Sequence, residues 1–175
     1  ISEKLVHQLN SFLPPSIAIK RIFKVKEDFH ARFSAKYRTY EYYISLEKNP
    51  FSEKFAWQHW RKTLDVEKMN EACKILFEYE DFGSFAKVGA DNKTNICKIY
   101  HANWEQNGNE LKFTISADRF LRNMVRAIVG TMVEIGSGKL KPADLRDVIE
   151  AKNRGVAGTS APAHALFLVD VGYDF

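Results

Sequence analysis

Residues 117–138, ADRFLRNMVRAIVGTMVEIGSG, contain the clearest helical pattern in this 175-residue chain. Apolar side chains recur there every three or four residues, and this spacing places them along one side of a helix that turns about 100° per residue. A continuous apolar stripe of this kind predicts a helix packed against a core. Its members are Leu121, Met124, Val125, Ile128, Val129 and Met132.

Three arginines of the same stretch are predicted to lie together on the opposite face of this helix. Arg119, Arg122 and Arg126 are three and four residues apart, and no acidic residue follows them until Glu134. Two interpretations are open, a solvated basic face or a cleft that binds an anion. Because an enclosed guanidinium needs a carboxylate or phosphate partner, we expect at least Arg126 to line such a cleft. Gly130, one turn further along, leaves room for a close approach of backbone or ligand.

The composition is that of a folded domain with a modest positive charge. Hydrophobic residues make up 45% of the chain, and the formal net charge of +4 is compatible with a polyanionic partner without requiring one. Cys73 and Cys97 lack metal-ligand spacing and predict neither a disulfide nor a zinc site, which favours reducing conditions. No apolar run is long enough to span a membrane. We therefore expect a cytoplasmic protein that does not bind a membrane.

In the first half of the chain, turn and periodicity signals predict two helices and two strands. The strands are rich in branched and aromatic residues. The first helix ends at Pro14-Pro15 and the second begins at Asp65, a typical N-cap. In chain order we expect a helix at 5–13, a strand at 17–25, a strand at 35–45 and a helix at 66–78.

The second half predicts a hairpin, two helices and a last strand. Asn107-Gly108 is a strong turn signal between strands at 96–104 and 110–116, and Asp118 then caps the arginine-bearing helix. Pro142 begins a further helix, and residues 166–173 form the last strand. This order of elements predicts an α+β fold, a largely antiparallel sheet flanked by helices.

Basic and aromatic residues are interleaved in the strand at 35–45, AKYRTYEYYIS. Lys36, Arg38 and Tyr40 are predicted to share one face of it. Aromatic rings and basic groups on one surface suit unstacked bases and phosphates, whereas a tyrosine in a strand often serves packing alone. We expect the face with Lys36, Arg38 and Tyr40 to be the substrate-binding one.

Familiar catalytic motifs are missing from the sequence. It contains no phosphate loop, dinucleotide-binding glycine pattern, nucleophile elbow or HExxH motif. Lys87 and Lys93, in the loop at 80–95, either contact phosphate or are solvated. Residue chemistry by itself therefore predicts a basic, aromatic cleft and names no reaction.

Four segments occur in the order and spacing of one enzyme family. FHARFSAKYRTYEYYI at 29–44, DFGSFAK at 81–87, FLRNMVRAIVG at 120–130 and TSAPAHALFLVDVGY at 159–173 together resemble the tRNA pseudouridine synthase A (TruA) family. The resemblance implies an enzyme that breaks the glycosidic bond of selected uridines in the tRNA anticodon arm, turns the base and rejoins it through carbon. It implies no cofactor, tRNA as the partner and a homodimeric full-length protein.

The resemblance also implies roles for single residues. By motif position, Tyr40 resembles the tyrosine that lies against the target base, Arg126 the arginine that pairs with the catalytic aspartate, and Leu168 the apolar residue beneath the flipped base. These roles are coherent, because a flipped base needs a pocket between aromatic and apolar surfaces and an adjacent guanidinium keeps a carboxylate ionised. Arg119 and Arg122 are expected to bind phosphate or to support the protein frame.

The chain departs from the family pattern in two places. No aspartate here follows Arg-Thr, the motif that carries the family's nucleophile, and in the family that motif lies upstream of the residues that resemble 1–13. We interpret residues 1–33 as the tail of the amino-terminal half and residues 34–175 as the carboxy-terminal half of such a synthase, and we expect this fragment to be inactive alone. Ala165 stands where the family usually has glycine, which would alter the pocket floor slightly.

Two other classes of protein are alternatives. A catalytically silent RNA-binding module would keep the basic cleft without the chemistry and would bind tRNA in a salt-sensitive manner. A structural or oligomerisation domain would instead dock the arginine-bearing helix on an acidic protein partner, and it would not bind tRNA at low salt.

Overall fold

Strand β1, Ala35–Ser45, is central to a five-stranded sheet in the computed structural model, which describes residues 3–60 and 63–175. β1 pairs antiparallel with β4, Glu110–Ala117, on one side and with β5, Leu166–Tyr173, on the other. β3, Ile99–Asn107, extends the sheet antiparallel beyond β4. The two-residue strand β2, Trp57–Gln58, pairs parallel with the end of β1. The predicted α+β fold with a largely antiparallel sheet is confirmed.

Three helices belong to the same unit as the sheet and contribute to its core. They are α2, Val66–Ile75, α3, Met124–Gly136, and α4, Asp144–Glu150. Alternate side chains of the strands point toward them, as the two-residue period of a strand requires. The fully buried strand residues of this core include Tyr42, Ile44, Leu111, Phe113 and Ile115.

The β3–β4 hairpin forms where the turn signal predicts it, one residue later along the chain. Its strands end at Asn107 and restart at Glu110, so the connecting residues are Gly108 and Asn109. Gly108 has φ 58°, a left-handed conformation that glycine adopts at no steric cost. The hairpin places Leu111, Phe113 and Ile115 in the core, where all three are fully buried.

Helix α2 follows its predicted cap. The Asp65 carboxylate accepts a hydrogen bond from the Lys68 backbone N–H at 3.1 Å. The α-helix ends at Ile75, and residues Leu76–Glu78 continue as a tighter 3-10 turn. Because that turn changes the angular spacing of side chains, Phe77 lies half-exposed, outside the buried face of α2.

Helix α3 begins at Met124, three residues after Leu121, where the apolar pattern begins. Asn123 precedes the first helical residue with φ 71°, a left-handed backbone through which a right-handed helix does not continue. The prediction that Asp118 caps this helix is therefore wrong. Its carboxylate instead accepts hydrogen bonds from the Lys98 and Arg119 backbone N–H groups, each at 2.7 Å. The predicted apolar stripe of α3 is buried throughout.

Residues 3–34, with Asp174 and Phe175, form a second compact unit apart from Ala35–Tyr173. Its helix α1, Glu3–Phe12, ends before Pro14 as predicted. The strand predicted at 17–25 is wrong, because in the described part of the chain no strand pairs with this segment. The backbone of Ile19 is bonded to the Asn10 side chain instead. The assignment of residues 1–33 to an amino-terminal half stays a prediction, and residues 1 and 2 lie outside the described ranges.

None of the helices in the described ranges is both long and apolar enough to cross a membrane.

Candidate active site

An aromatic and an apolar side chain lie side by side where β1 meets β5. Tyr40 is directly opposite Leu168 in this antiparallel pair, and opposite residues of such a pair project from the same face of the sheet. The Tyr40 ring packs edge-on against Phe120, with ring centroids 5.3 Å apart, so its orientation is fixed. Leu168 remains 52% exposed. The pair offers an accessible apolar surface beside a held ring.

Arg126 lies in the first turn of α3 and is partly buried. Its Nε donates to the Ala161 carbonyl oxygen at 2.5 Å, and its own carbonyl accepts from the Ala161 N–H at 3.0 Å. In the described ranges 3–60 and 63–175, no carboxylate forms an ion pair with this guanidinium. A backbone carbonyl therefore sets the direction of the Arg126 side chain.

Tyr42 connects Arg126 to the strand that carries Tyr40. Its phenol is buried and donates to the Pro162 carbonyl at 2.9 Å. Burial raises the pKa of Tyr42 above its usual range, and the nearby positive charge of Arg126 lowers it in part. The Tyr42 hydroxyl thus stays protonated, so it serves as a donor that anchors the residue next to Ala161.

The segment 157–162 lies directly on α3, and two glycines make this approach possible. A Cβ placed on Gly130 would lie 1.8 Å from the Thr159 carbonyl oxygen, and one placed on Gly158 would lie 2.8 Å from the Thr131 nitrogen. The Gly158 N–H also donates to the Thr131 hydroxyl at 2.9 Å. The close backbone approach predicted at Gly130 is confirmed.

Arg119 and Arg122 do not share a helix face with Arg126, because both precede the start of α3 at Met124. The prediction of a three-arginine helical face is wrong for this reason. Arg119 Nη1 donates to the Thr94 carbonyl at 3.4 Å. Arg122 is exposed, and its carbonyl accepts from the Lys87 N–H at 2.9 Å. Lys87, Arg119 and Arg122 therefore gather around one loop, and we name these three residues the basic ridge.

Lys36 and Arg38 lie at the start of β1. Lys36 is exposed and Arg38 is partly buried. Arg38 Nη1 donates to the carbonyls of Ala35, at 2.9 Å, and Asp118, at 2.7 Å. These bonds tie β1 to the residue that follows β4, and substrate contact by Lys36 and Arg38 stays a prediction.

A separate cavity of about 500 Å³ opens beside the sheet, near the side chains of Tyr43, Phe55 and Phe167, and Leu168 also borders it. Tyr43 donates to the Glu41 carboxylate at 2.5 Å, and this hydrogen bond is the main reason why the pKa of Tyr43 is raised to about 12. Tyr43 and Glu41 alternate with Tyr40 and Tyr42 along β1, so these two side chains line the cavity from the face of the strand opposite to Tyr40.

Sequence reasoning missed two residues beside Arg126. Asn123 Nδ2 and Arg154 Nη2 both donate to the Ser160 hydroxyl oxygen, at 2.6 and 2.8 Å. Asparagine is one of the few residues that tolerate a left-handed backbone, so the residue type at position 123 is compatible with a helix start there. Arg154 lies in an irregular stretch and carries no periodic signal.

Exposed aromatic, apolar and cationic side chains on one α+β domain are typical of surfaces that suit nucleic acid. Residues 72–174 match the family profile described as tRNA pseudouridine synthase. Among curated relatives, tRNA pseudouridine synthase A of Parabacteroides distasonis is 55% identical over 97% of this chain and 67% of its own length. The chain belongs to the tRNA pseudouridine synthase A family.

Two further relatives carry the same name. The proteins of the same name from Bacteroides fragilis and Bacillus subtilis are 54% and 38% identical over 98% and 99% of this chain. The matches cover 68% and 70% of those two relatives. The chain thus spans about two thirds of the length of the relatives it matches.

Proposed function

We propose that this chain is the carboxy-terminal part of a tRNA pseudouridine synthase that isomerises uridine to pseudouridine in the anticodon stem-loop. The observation that carries the proposal is the state of Arg126. Its guanidinium is partly buried and fixed through Nε to the Ala161 carbonyl, and in the described ranges it has no acidic partner. An arginine held in this way suits a carboxylate, and the family carries one as the aspartate of an Arg-Thr-Asp motif.

The target base would lie against Tyr40 and Leu168. These residues face the same side of the sheet from neighbouring strands, and the ring of Tyr40 is held by Phe120. A base that is flipped out of the RNA loses its stacking contacts with neighbouring bases, and contacts with an aromatic ring and an apolar side chain can replace them. Tyr40 and Leu168 therefore supply the surface that the flipped uracil needs.

Arg126 would act on the catalytic aspartate rather than on the base. A guanidinium beside a carboxylate lowers the carboxylate pKa and, through two parallel N–H groups, fixes its orientation. During the reaction the bond from ribose C1′ to uracil N1 breaks, the base turns and a bond from C1′ to C5 forms, while the C5 proton passes to solvent and N1 takes up a proton from solvent. Uridine and pseudouridine are isomers, so the balance needs no oxidant, reductant or added group.

The basic ridge would contact the tRNA backbone. Lys87 and Arg122 are exposed and Arg119 is partly exposed, while the backbone bond from Lys87 to Arg122 fixes the distance between their two segments. Cationic side chains at such positions bind phosphate in a sequence-independent, salt-dependent manner. Lys93, Lys36 and Arg38 would extend this surface.

Further properties follow from the family and are part of the same proposal. The full-length protein would be a homodimer in the cytoplasm. The two cysteines are compatible with a reducing compartment, because Cys73 and Cys97 are buried free thiols. Since no aspartate here follows Arg-Thr, the 175-residue chain would be inactive without the upstream motif.

The proposal is tested by tritium release from tRNA labelled at uracil C5. We would compare this chain with the gene product that includes its upstream residues, each as parent, Arg126→Ala and Arg146→Ala. Arg146 is a matched control, because it also forms side-chain hydrogen bonds but to Glu78, away from the site. We expect release from the longer protein and its Arg146→Ala variant, a strongly reduced but measurable rate from its Arg126→Ala variant, and none from the 175-residue chain. Turnover by the 175-residue chain, or full activity of the longer Arg126→Ala variant, would contradict the proposal.

The basic ridge also favours a second candidate, an RNA-binding module without catalysis. This alternative predicts salt-sensitive tRNA binding that survives Tyr40→Phe, and no tritium release from either protein. Loss of binding in the Lys87→Ala/Arg122→Ala double variant, with Arg146→Ala unchanged, would assign the binding to the basic ridge in both cases.

A further inference from the structure

The Ser160 hydroxyl joins two distant parts of the chain. Asn123 reaches it from the residue just before α3, and Arg154 reaches it from the connection between α4 and β5, with N···O distances of 2.6 and 2.8 Å. Ser160 is followed directly by Ala161, whose carbonyl holds Arg126 Nε. The residue bound by Asn123 and Arg154 is therefore the immediate chain neighbour of the residue whose carbonyl orients Arg126.

Arg154 is hydrogen-bonded to both ends of the segment 157–160. Besides its bond to Ser160, its Nη1 donates to the Ala157 carbonyl at 3.2 Å. One planar guanidinium thus bridges two points of the 157–160 segment, which a lysine ammonium cannot do in the same fixed geometry. In the described parts of the chain, Arg154 forms no ion pair with a carboxylate, and both of its side-chain hydrogen bonds are to this segment.

The tethered segment has its other contacts on α3. Gly158 donates to Thr131, Ala161 and Arg126 are bonded in both directions, and Gly130 has no side chain that would push the segment away. If the segment moved outward by about the length of one C–C bond, Arg126 would lose its carbonyl acceptor, since hydrogen bonds weaken steeply beyond their usual length. The position of this segment therefore controls the direction of the guanidinium.

We propose that Arg154 is a positioning residue for Arg126, acting through Ser160 and the Ala161 carbonyl. The inference rests on the proposed function, because it assigns Arg154 to the same site. Arg154 touches neither the base nor the catalytic aspartate in this scheme. It keeps the 157–161 segment against α3, so that the Arg126 terminal nitrogens have one direction before the carboxylate arrives.

The first test needs no activity and uses the 175-residue chain. The Arg126 Nε–H gives an NMR signal that is assigned by its loss in Arg126→Ala, and its exchange with water reports the bond to Ala161. We expect Arg154→Ala and Ser160→Ala each to accelerate this exchange about tenfold, the factor expected for loss of one or two supporting hydrogen bonds. Arg154→Lys should give an intermediate rate, and Arg146→Ala should leave the rate unchanged. Two variants are used because either could fold poorly, and unchanged exchange in a folded variant overturns the proposal.

The second test uses the longer gene product. Arg154→Ala should lower kcat for tRNA about 10²-fold, the cost of a displacement near 1 Å, with little change in KM. The double variant Arg126→Ala/Arg154→Ala should be no slower than Arg126→Ala alone, because Arg154 acts only through Arg126. Multiplying losses would overturn the positioning role. If the parent itself releases no tritium, the proposed function fails, and the exchange measurement still decides whether Arg154 positions Arg126.

Discussion

The substitution Gly130→Ala tests the close contact on which the geometry around Arg126 depends. The new Cβ would lie 1.8 Å from the Thr159 carbonyl oxygen, so the two backbones would have to separate by more than about 1 Å to reach ordinary contact. The obstacle is backbone on both sides, and no side-chain rotation can relieve it. We therefore expect the 157–161 segment to leave α3.

The magnitude follows from two opposing effects. Alanine is favoured over glycine in a helix interior by about 1 kcal/mol. Against this gain, separation weakens three hydrogen bonds between α3 and the segment, each with a net value of about 1 kcal/mol. The loss exceeds the gain, and we expect a net destabilisation of about 2 kcal/mol, in the range measured for overpacked cores.

Urea unfolding followed by tryptophan fluorescence measures this change, and the melting temperature should fall by about 4–8 °C for a chain of this size. Gly136→Ala is the matched control, because it is the same substitution in the same helix and its Cβ would meet side-chain atoms, Met69 Sδ at 2.6 Å and Met69 Cγ at 3.0 Å, rather than backbone. We expect that control to stay within about 1 kcal/mol of the parent. A Gly130→Ala chain as stable as the parent would refute the inferred contact.

Three further predictions concern buried polar groups and the cap of α2. Tyr42→Phe should lower the free energy of unfolding by about 1–2 kcal/mol, since it leaves the Pro162 carbonyl without its donor, and urea titration checks this value. Because burial raises the pKa of Tyr42, the parent should lose stability as the pH rises above about 10, where the unfolded phenol ionises, and Tyr42→Phe should lose less in the same titration. Burial also raises the pKa of Cys73 to about 12 and of Cys97 to about 11, so both thiols should resist iodoacetamide at pH 8 until the chain is unfolded, as mass spectrometry would show. Asp65→Ala should destabilise the chain in urea by removing the α2 cap, while Asp65→Asn should retain most of the stability.

The sheet was predictable because its signals are local. Alternation in AKYRTYEYYIS located β1 at its observed bounds, and the turn signal near Gly108 located the hairpin to within one residue. The strand predicted at 17–25 had the right composition, but composition cannot tell whether a partner strand is present. A strand exists only where another accepts its hydrogen bonds, and that is not a local property.

The start of α3 was missed for a different reason. Leu121 fits the apolar period and is buried, yet it precedes the helix, because burial and helical backbone are separate properties. The left-handed backbone of Asn123 prevents the helix from extending toward Leu121, and the spacing of apolar residues contains no information on a single φ angle. The grouping of Arg119 and Arg122 with Arg126 failed with it. Predicting the Arg154–Ser160 tether would have required knowing which loop lies on α3.

In the proposed function Arg126 pairs with a carboxylate, and its bond to Ala161 gives a reason why an arginine suits this position. Its Nε is used by the protein's own backbone, and the two terminal nitrogens keep their N–H groups for a partner. A lysine ammonium has no planar fork, so it could not present two parallel N–H groups to an acid while the Ala161 carbonyl fixes its direction. All the bonds that orient the guanidinium lie within residues 35–173, so the fold of this unit fixes its direction in advance. Orientation completed during folding does not have to be repeated at each turnover, which is the advantage that preorganised groups give to catalysis.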